Sequence, residues 1–377
     1  GLPTLTPRER EELRRLLLEK LEELGFKVNP HPRPPTHSKN ALKRIHELRR
    51  REVIARYRRR LERVTPLIME KYQGREIVVD EISPRLIRVE SSDELYDEFL
   101  WFSILWWSLP YEKPVGRTVR YVIYDEGNDM PMGAVQLTSP IMSCSARDGY
   151  LGITKEDRPY WVNQSLQAQR VGAFPPYHKL GVNRLVAMSL ASTDVRRMYE
   201  EKYGGLRKWF PNRVLFVTTF SAFGRSAMYE DLWFGSTKLS VFVGYTRGSG
   251  TFHLPEEFIE RFRKMLGRRR RRFRRSKKLF LASRALLELG LRDFEYHGVR
   301  RAVYIFPHVR NLRGVIREGE RPRWINVSFD AMARRWRESL PPGERLKVDL
   351  RPLLKDLTDL GGVHTEYVKQ ALSGWET

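Results

Sequence analysis

Apolar positions near the start of the chain recur at helical spacing. Leu13, Leu16, Leu17, Leu21 and Leu24 follow a Thr6-Pro7-Arg8-Glu9 start and run to a stop at Gly25. A Pro-rich linker, 29–35, separates this helix from a second helical segment over 40–72, in which Pro66 is a candidate kink. The pattern then changes period. Residues 85–90 read as a strand, 93–107 as a helix with aromatic anchors, and 117–125 with 132–139 as a hairpin around Glu126–Asp129. The stretch 174–250 organises the rest. A Pro-Pro turn leads to a helix marked by Leu185, Met188, Leu190, Val195 and Tyr199. A strand over 214–219, a short helix from Ser221 past Tyr229, and a second strand over 239–245 follow. Beyond Glu256 come a helix, a basic run, more helix to Leu289, a strand over 299–306, a basic loop over 307–323, a helix over 329–340 and an irregular end. No internal repeat is visible.

This order predicts an α/β (α+β) fold in three consecutive segments: a basic helical region 1–75, a mixed-sheet core 76–255, and a basic helical and strand extension 256–377. At 377 residues, 41% of them hydrophobic, the chain can bury a sizeable core. A net charge of +23 predicts an anionic polymer as partner, nucleic acid ahead of an acidic membrane. A thermophile surface rich in Arg and Glu is the bland alternative, but such a surface stays near charge balance. The single Cys144 excludes an intrachain disulfide and a cysteine zinc site, and suits a reducing cytoplasm. No signal-peptide pattern is seen, and no apolar run reaches the roughly 18 residues a membrane span needs.

The sharpest chemical signal is the run from Arg268 to Lys278. Arg268, Arg269, Arg270, Arg271, Arg272, Arg274, Arg275, Lys277 and Lys278 point to phosphate contacts, with Phe273 either stacking on a base or packing inward. Arg58, Arg59 and Arg60 are a second candidate patch, against a plain solvated helix face with Glu partners. Candidate catalytic residues cluster at strand ends. Arg147 and Asp148, read on a strand, would face opposite sides and form no simple pair. Thr219 and Ser221 end a strand where hydroxyls and amides can hold an anion, although Ser221 as a plain helix cap is an equal reading. Arg225 and Tyr229, four apart on the expected short helix, share a face. The eight histidines show no metal spacing; His178 and His253 flank the central stretch. Asp125, Glu126, Asp129 and Asp148 are carboxylates for a divalent-metal nuclease, but the first three most simply decorate a hairpin turn.

Five blocks in order carry a family resemblance. They are Trp107–Pro110 with Val115–Arg117; Met132–Ala134, Ser139-Pro140 and Ala146–Gly152; Gly172–Tyr177; Thr218–Ser221; and Gly244–Gly248. Together they resemble the Druantia anti-phage protein A family, whose relatives also accompany mobile elements, over about 73–253. The resemblance implies an anti-phage defence or mobile-element role acting on DNA, with other defence subunits as partners. More distantly, the core is similar to the acetyltransferase-like fold, as in phage DNA-modifying proteins; acetyltransferases grip their cofactor pyrophosphate where a Gly-containing loop meets the central helix. That junction reads His178–Arg184 here, with Gly181 alone where two small residues are expected, which argues against acyl-CoA. Three readings remain open: a DNA-binding component acting mainly through phosphate contacts, an enzyme that modifies or cleaves DNA in the central cleft, and an RNA-binding protein, which differs from these in substrate geometry alone.

Overall fold

Residues 130–138 are buried at every position, which requires cover on both faces of the strand they form. The computed structural model, which describes residues 5–28, 39–251 and 253–373, supplies it. Seven strands make one mixed sheet: β1 (Pro84–Arg88), β2 (Val119–Asp125), β3 (Met130–Thr138), β4 (Ser165–Ala173), β5 (Phe216–Phe220), β6 (Val241–Tyr245) and β7 (Ala302–Pro307). Their order is β1-β2-β3-β4-β5-β7-β6, and β4 with β5 is the parallel pair in an otherwise antiparallel sheet. The expected hairpin is β2–β3, its turn built on Asp125.

The chain forms two units, 1–52 with 247–300, and 53–246 with 301–377. Both are discontinuous, unlike the three consecutive segments the sequence suggested. The reason lies in the first unit's core. Helices α1 (Pro7–Glu23) and the first part of α2 (Lys39–Arg56) contribute Leu13, Leu17, Leu21 and Ile45. The 247–300 segment contributes Phe258, Phe262, Leu266, Leu281 and Leu286 to the same cluster.

In the second unit, α3 (Arg58–Tyr72) and α4 (Glu94–Leu105) precede the hairpin, and α5 (Ser145–Leu151) and α6 (Arg158–Val162) lie between β3 and β4. The parallel crossover carries α7 (Val182–Ser189) and α8 (Thr193–Tyr203). Glycines show how closely the two layers approach. A Cβ on Gly172 would lie 2.5 Å from Trp107 Nε1, just after α4; one on Gly133 would lie 2.9 Å from Val186 of α7. Gly133 and Gly172 belong to alternate rows of the β3–β4 pair, so α4 and α7 cover opposite faces. On the α4 face, α5 packs on β6 and β7, and Leu151 joins Phe216 and Ile305.

Several expected boundaries move. The 40–72 segment breaks at Tyr57, and Pro66 sits inside α3. The single helix expected after the Pro-Pro turn is two, α7 and α8. The short helix expected from Ser221 is irregular backbone. The first unit continues with α9 (Glu256–Arg269) and α10 (Lys278–Glu288). The 307–323 loop contains α11 (Leu312–Glu318). The expected 329–340 helix is α12 (Phe329–Arg337), and the irregular end holds α13 (Arg351–Asp359) and α14 (Glu366–Ser373), whose Leu353, Leu354, Leu357 and Val368 join the main core. The Pro-rich linker 29–35 lies outside the described residues.

Candidate nucleic-acid interface

Residues 268–278 form an elbow. Helix α9 has Glu256 and Glu257 in its first turn and Arg268 and Arg269 in its last, matching the helix dipole at both ends. A single 3₁₀ turn, Arg271–Arg275, joins it to α10. Gly267 permits the fold-back, because a Cβ there would lie 2.8 Å from Arg274 Cγ. Arg263 donates to the carbonyls of Arg274 and Ser276 and fixes the turn from below. Phe273, 2% exposed, points into the core and stacks on Phe280 at 6.1 Å between centroids. Of the two readings of Phe273, the structure selects packing.

With the apolar side anchored, the cations face solvent. Arg268 to Arg272, Arg274, Arg275 and Lys277 are exposed, and Lys278 is half-buried. Arg269 pairs with Glu9, holding that carboxyl below its ordinary value. Arg268, Arg271, Arg272, Arg274, Arg275 and Lys277 have no carboxylate partner among the described residues. The charge is concentrated in this unit: its two segments hold 29 Lys and Arg against 14 Asp and Glu, so about 15 of the chain's 23 excess positive charges lie in 106 residues. The second patch is different. Arg58 pairs with Glu62 at 3.0 Å and Arg60 with Asp97 at 3.6 Å, leaving Arg59 exposed without such a partner among the described residues.

The expected catalytic residues fall into two groups separated by the sheet. Arg147 and Asp148 lie on α5, not on a strand, and they do pair: Arg147 Nε donates to Asp148 Oδ1 at 2.9 Å. A helical backbone allows what a strand would forbid. Arg147, wholly buried, also donates to the carbonyls of Ile141 and Met142, and Arg158 donates to Asp148 Oδ2 at 3.0 Å. Both side chains are thereby spent on holding the loop before α5.

The other group lies at the end of β5. Thr219 and Tyr304 are paired across β5 and β7, and Tyr229 packs on Tyr304 and Phe306, all in the core that includes α7. Burial pushes the Tyr229 hydroxyl up to about 12, with a hydrogen bond to Thr219 acting the other way. Ser221 accepts from the Ala302 amide at 2.8 Å and donates to the Gly224 carbonyl, so it closes a turn and caps no helix. Arg225 is exposed, makes a two-pronged contact with Glu230 at 2.6 Å, and covers the Phe242 ring at 4.2 Å. Glu230 also accepts from Tyr304, and the Arg225 hydrogen bonds hold its carboxyl below the usual range. Tyr304, Glu230 and Arg301 were not singled out from sequence. Arg301 Nε donates to the Ser221 carbonyl at 2.6 Å, and its position before an apolar strand was the available signal.

Asp125 organises the hairpin. It accepts from the amides of Ser83, Gly127 and Asn128, from Asn128 Nδ2 at 2.8 Å and from Tyr177 at 2.7 Å. No cluster of three or more His, Cys, Asp or Glu suited to a metal occurs among the described residues. His178 lies against Trp106 in the second unit; His253 packs on Phe26 and His297 in the first. The junction that would hold the cofactor in an acetyltransferase, already doubtful for acyl-CoA from its sequence, is committed elsewhere. The amides of His178, Lys179 and Arg184 bond to carbonyls of the same turn, Asn183 accepts from the Ala173 amide, and Arg184 grips the carbonyls of Ala227, Glu230 and Asp231. These residues do not fit an acyl-CoA grip.

The Druantia protein DruA family matches residues 36–318, three quarters of the chain. The chain belongs to this family. DruA of Escherichia coli strain UMEA 4076-1 is 28% identical over 326 residues, which are 82% of this chain and 80% of that protein. No solved structure matches the chain. The DruA match spans the hairpin, the parallel crossover and the basic elbow, so it covers the whole sheet and most of the charge. No helix among the described residues is long and apolar enough to cross a membrane.

Proposed function

We propose that this DruA-family protein is a DNA-binding component of an anti-phage defence system, holding DNA through its phosphates with the elbow between α9 and α10. The observation that carries this reading is the anchored elbow itself. Six cations without carboxylate partners among the described residues stand on a turn whose apolar side is fixed by Phe273 and Leu266. Side chains placed this way neutralise phosphates without first leaving an ion pair. They position the duplex and carry no base information. Membership in the DruA family supports the defence role and other defence subunits as partners.

The acetyltransferase-like reading of the core draws support from its one parallel strand pair and the helical crossover joining it. It brings no acyl-transfer step, since the cofactor junction does not fit. The test is retention of labelled single- and double-stranded DNA on a filter, with products examined on a denaturing gel and by intact mass. Replacing Arg268 to Arg272 with Ser lowers affinity at least tenfold and leaves the DNA unaltered. Unchanged affinity contradicts the reading, and cleaved or mass-shifted DNA replaces it with the enzyme reading.

A further inference from the structure

A second basic feature lies in the other unit, where it forms a cavity. The segment after β7, residues Ser236–Lys238, Val241 of β6 and Tyr150 of α5 line a half-open space of about 330 Å³. Its accessible apolar lining is Tyr150, Val241 and Pro307, all half-buried, with Val309, Leu312 and Ile325 buried behind them. Its rim carries Lys238, Arg310 and Arg313, all exposed and all without a carboxylate ion-pair partner among the described residues. Arg313 lies over the Tyr150 ring at 4.8 Å. The carboxylate beside Gly314, that of Glu320, is held by Asn311 Nδ2 at 3.1 Å.

An apolar floor with an aromatic edge and three cations at the mouth suits a ligand with a flat apolar part and a multiply charged end. A sugar-free anion would leave the floor unused; an apolar molecule would leave the cations unneutralised. We propose that this cavity binds a nucleoside phosphate, with the base against Tyr150, Val241 and Pro307 and the phosphates on Lys238, Arg310 and Arg313. The same chemistry is offered by a free nucleotide and by the phosphorylated end of a DNA strand. The site is independent of the elbow.

The test uses the full chain with Arg268 to Arg272 replaced by Ser, so that the elbow does not contribute. ATP, dTTP, inorganic pyrophosphate, and a short oligonucleotide with or without a 5′-phosphate are titrated calorimetrically. The site predicts saturable binding of a nucleotide, or of the 5′-phosphorylated strand over its unphosphorylated form; which one binds identifies the source. Adding K238A, R310A and R313A weakens that binding at least tenfold with the melting temperature unchanged, since all three side chains are exposed. No saturable binding, binding of pyrophosphate as tight as that of nucleotide, or binding indifferent to the three substitutions overturns the proposal.

Discussion

Arg147→Ala separates two roles for one residue. Its guanidinium is wholly buried and supports the Asp148 carboxylate and the carbonyls of Ile141 and Met142. Removing it leaves two carbonyls without this donor and takes one of two arginines from a carboxylate that is itself nearly buried. Breaking a buried pair from one side costs about 3–5 kcal/mol. Because Arg158 remains on Oδ2, the lower part of that range, about 3 kcal/mol, is expected. Asp148→Ala costs as much or more, since it leaves Arg147 buried and charged without its carboxylate. The double variant R147M/D148L removes both charges and costs less than the sum, with a coupling of about 1–3 kcal/mol. Urea unfolding of the second unit, followed by circular dichroism and tryptophan fluorescence, measures all three. Single variants within about 0.5 kcal/mol of the parent, or a strictly additive double, refute the network.

Other outcomes follow from the same geometry. Phe273→Leu keeps the elbow anchored and leaves DNA affinity unchanged, whereas a base-stacking Phe273 would forfeit about 1–3 kcal/mol of binding; Phe273→Ala destabilises the first unit by about 3–5 kcal/mol in the same melting assay. His308, buried, bonds to the Leu190 carbonyl through Nε2 and to Arg196 through Nδ1, and burial with the nearby Arg196 pushes it down to about 3. The unfolded chain therefore takes up a proton below about pH 6.5 that the folded chain refuses, so stability falls as pH drops from 6.5 towards 3 by up to about 1.4 kcal/mol per pH unit for this group. His308→Gln removes one proton from that slope in urea midpoints measured between pH 4 and 7; an unchanged slope contradicts the assignment. Asp125→Asn destabilises by about 2–4 kcal/mol in thermal unfolding, because an amide replaces one of two accepting oxygens that serve five donors. A neutral outcome would mean that the hairpin turn holds without it.

What the sequence disclosed was set by local pattern. Alternation and turn chemistry located the β2–β3 hairpin, and leucine spacing located α1, because neither depends on distant contacts. The cation run was legible as charge. Its elbow was not, since the inward turn of Phe273 depends on a core assembled from residues 1–52 and 247–300 together. The backbone around the candidate catalytic residues differs from expectation for a similar reason. Ser143–Tyr150 has the short polar look of a strand end, yet it forms α5, where Arg147 is satisfied by backbone carbonyls five and six residues before it. Ser221 to Tyr229 had helical spacing but no helix. Its residues are held by the strand beside it, through Ala302, Arg301 and Tyr304, none of which a local window contains.

The most direct test of the central claim is the salt dependence of duplex DNA binding, by fluorescence anisotropy from 50 to 200 mM NaCl, for the parent and the variant with Arg268 to Arg272 replaced by Ser. Each phosphate contact contributes about 0.9 to the slope of log affinity against log salt. Counting Arg268, Arg271 and Arg272, the replaced cations without a carboxylate partner among the described residues, the account predicts a slope shallower by about 3 in the variant. Parallel lines for the two proteins, whatever their affinities, would contradict it.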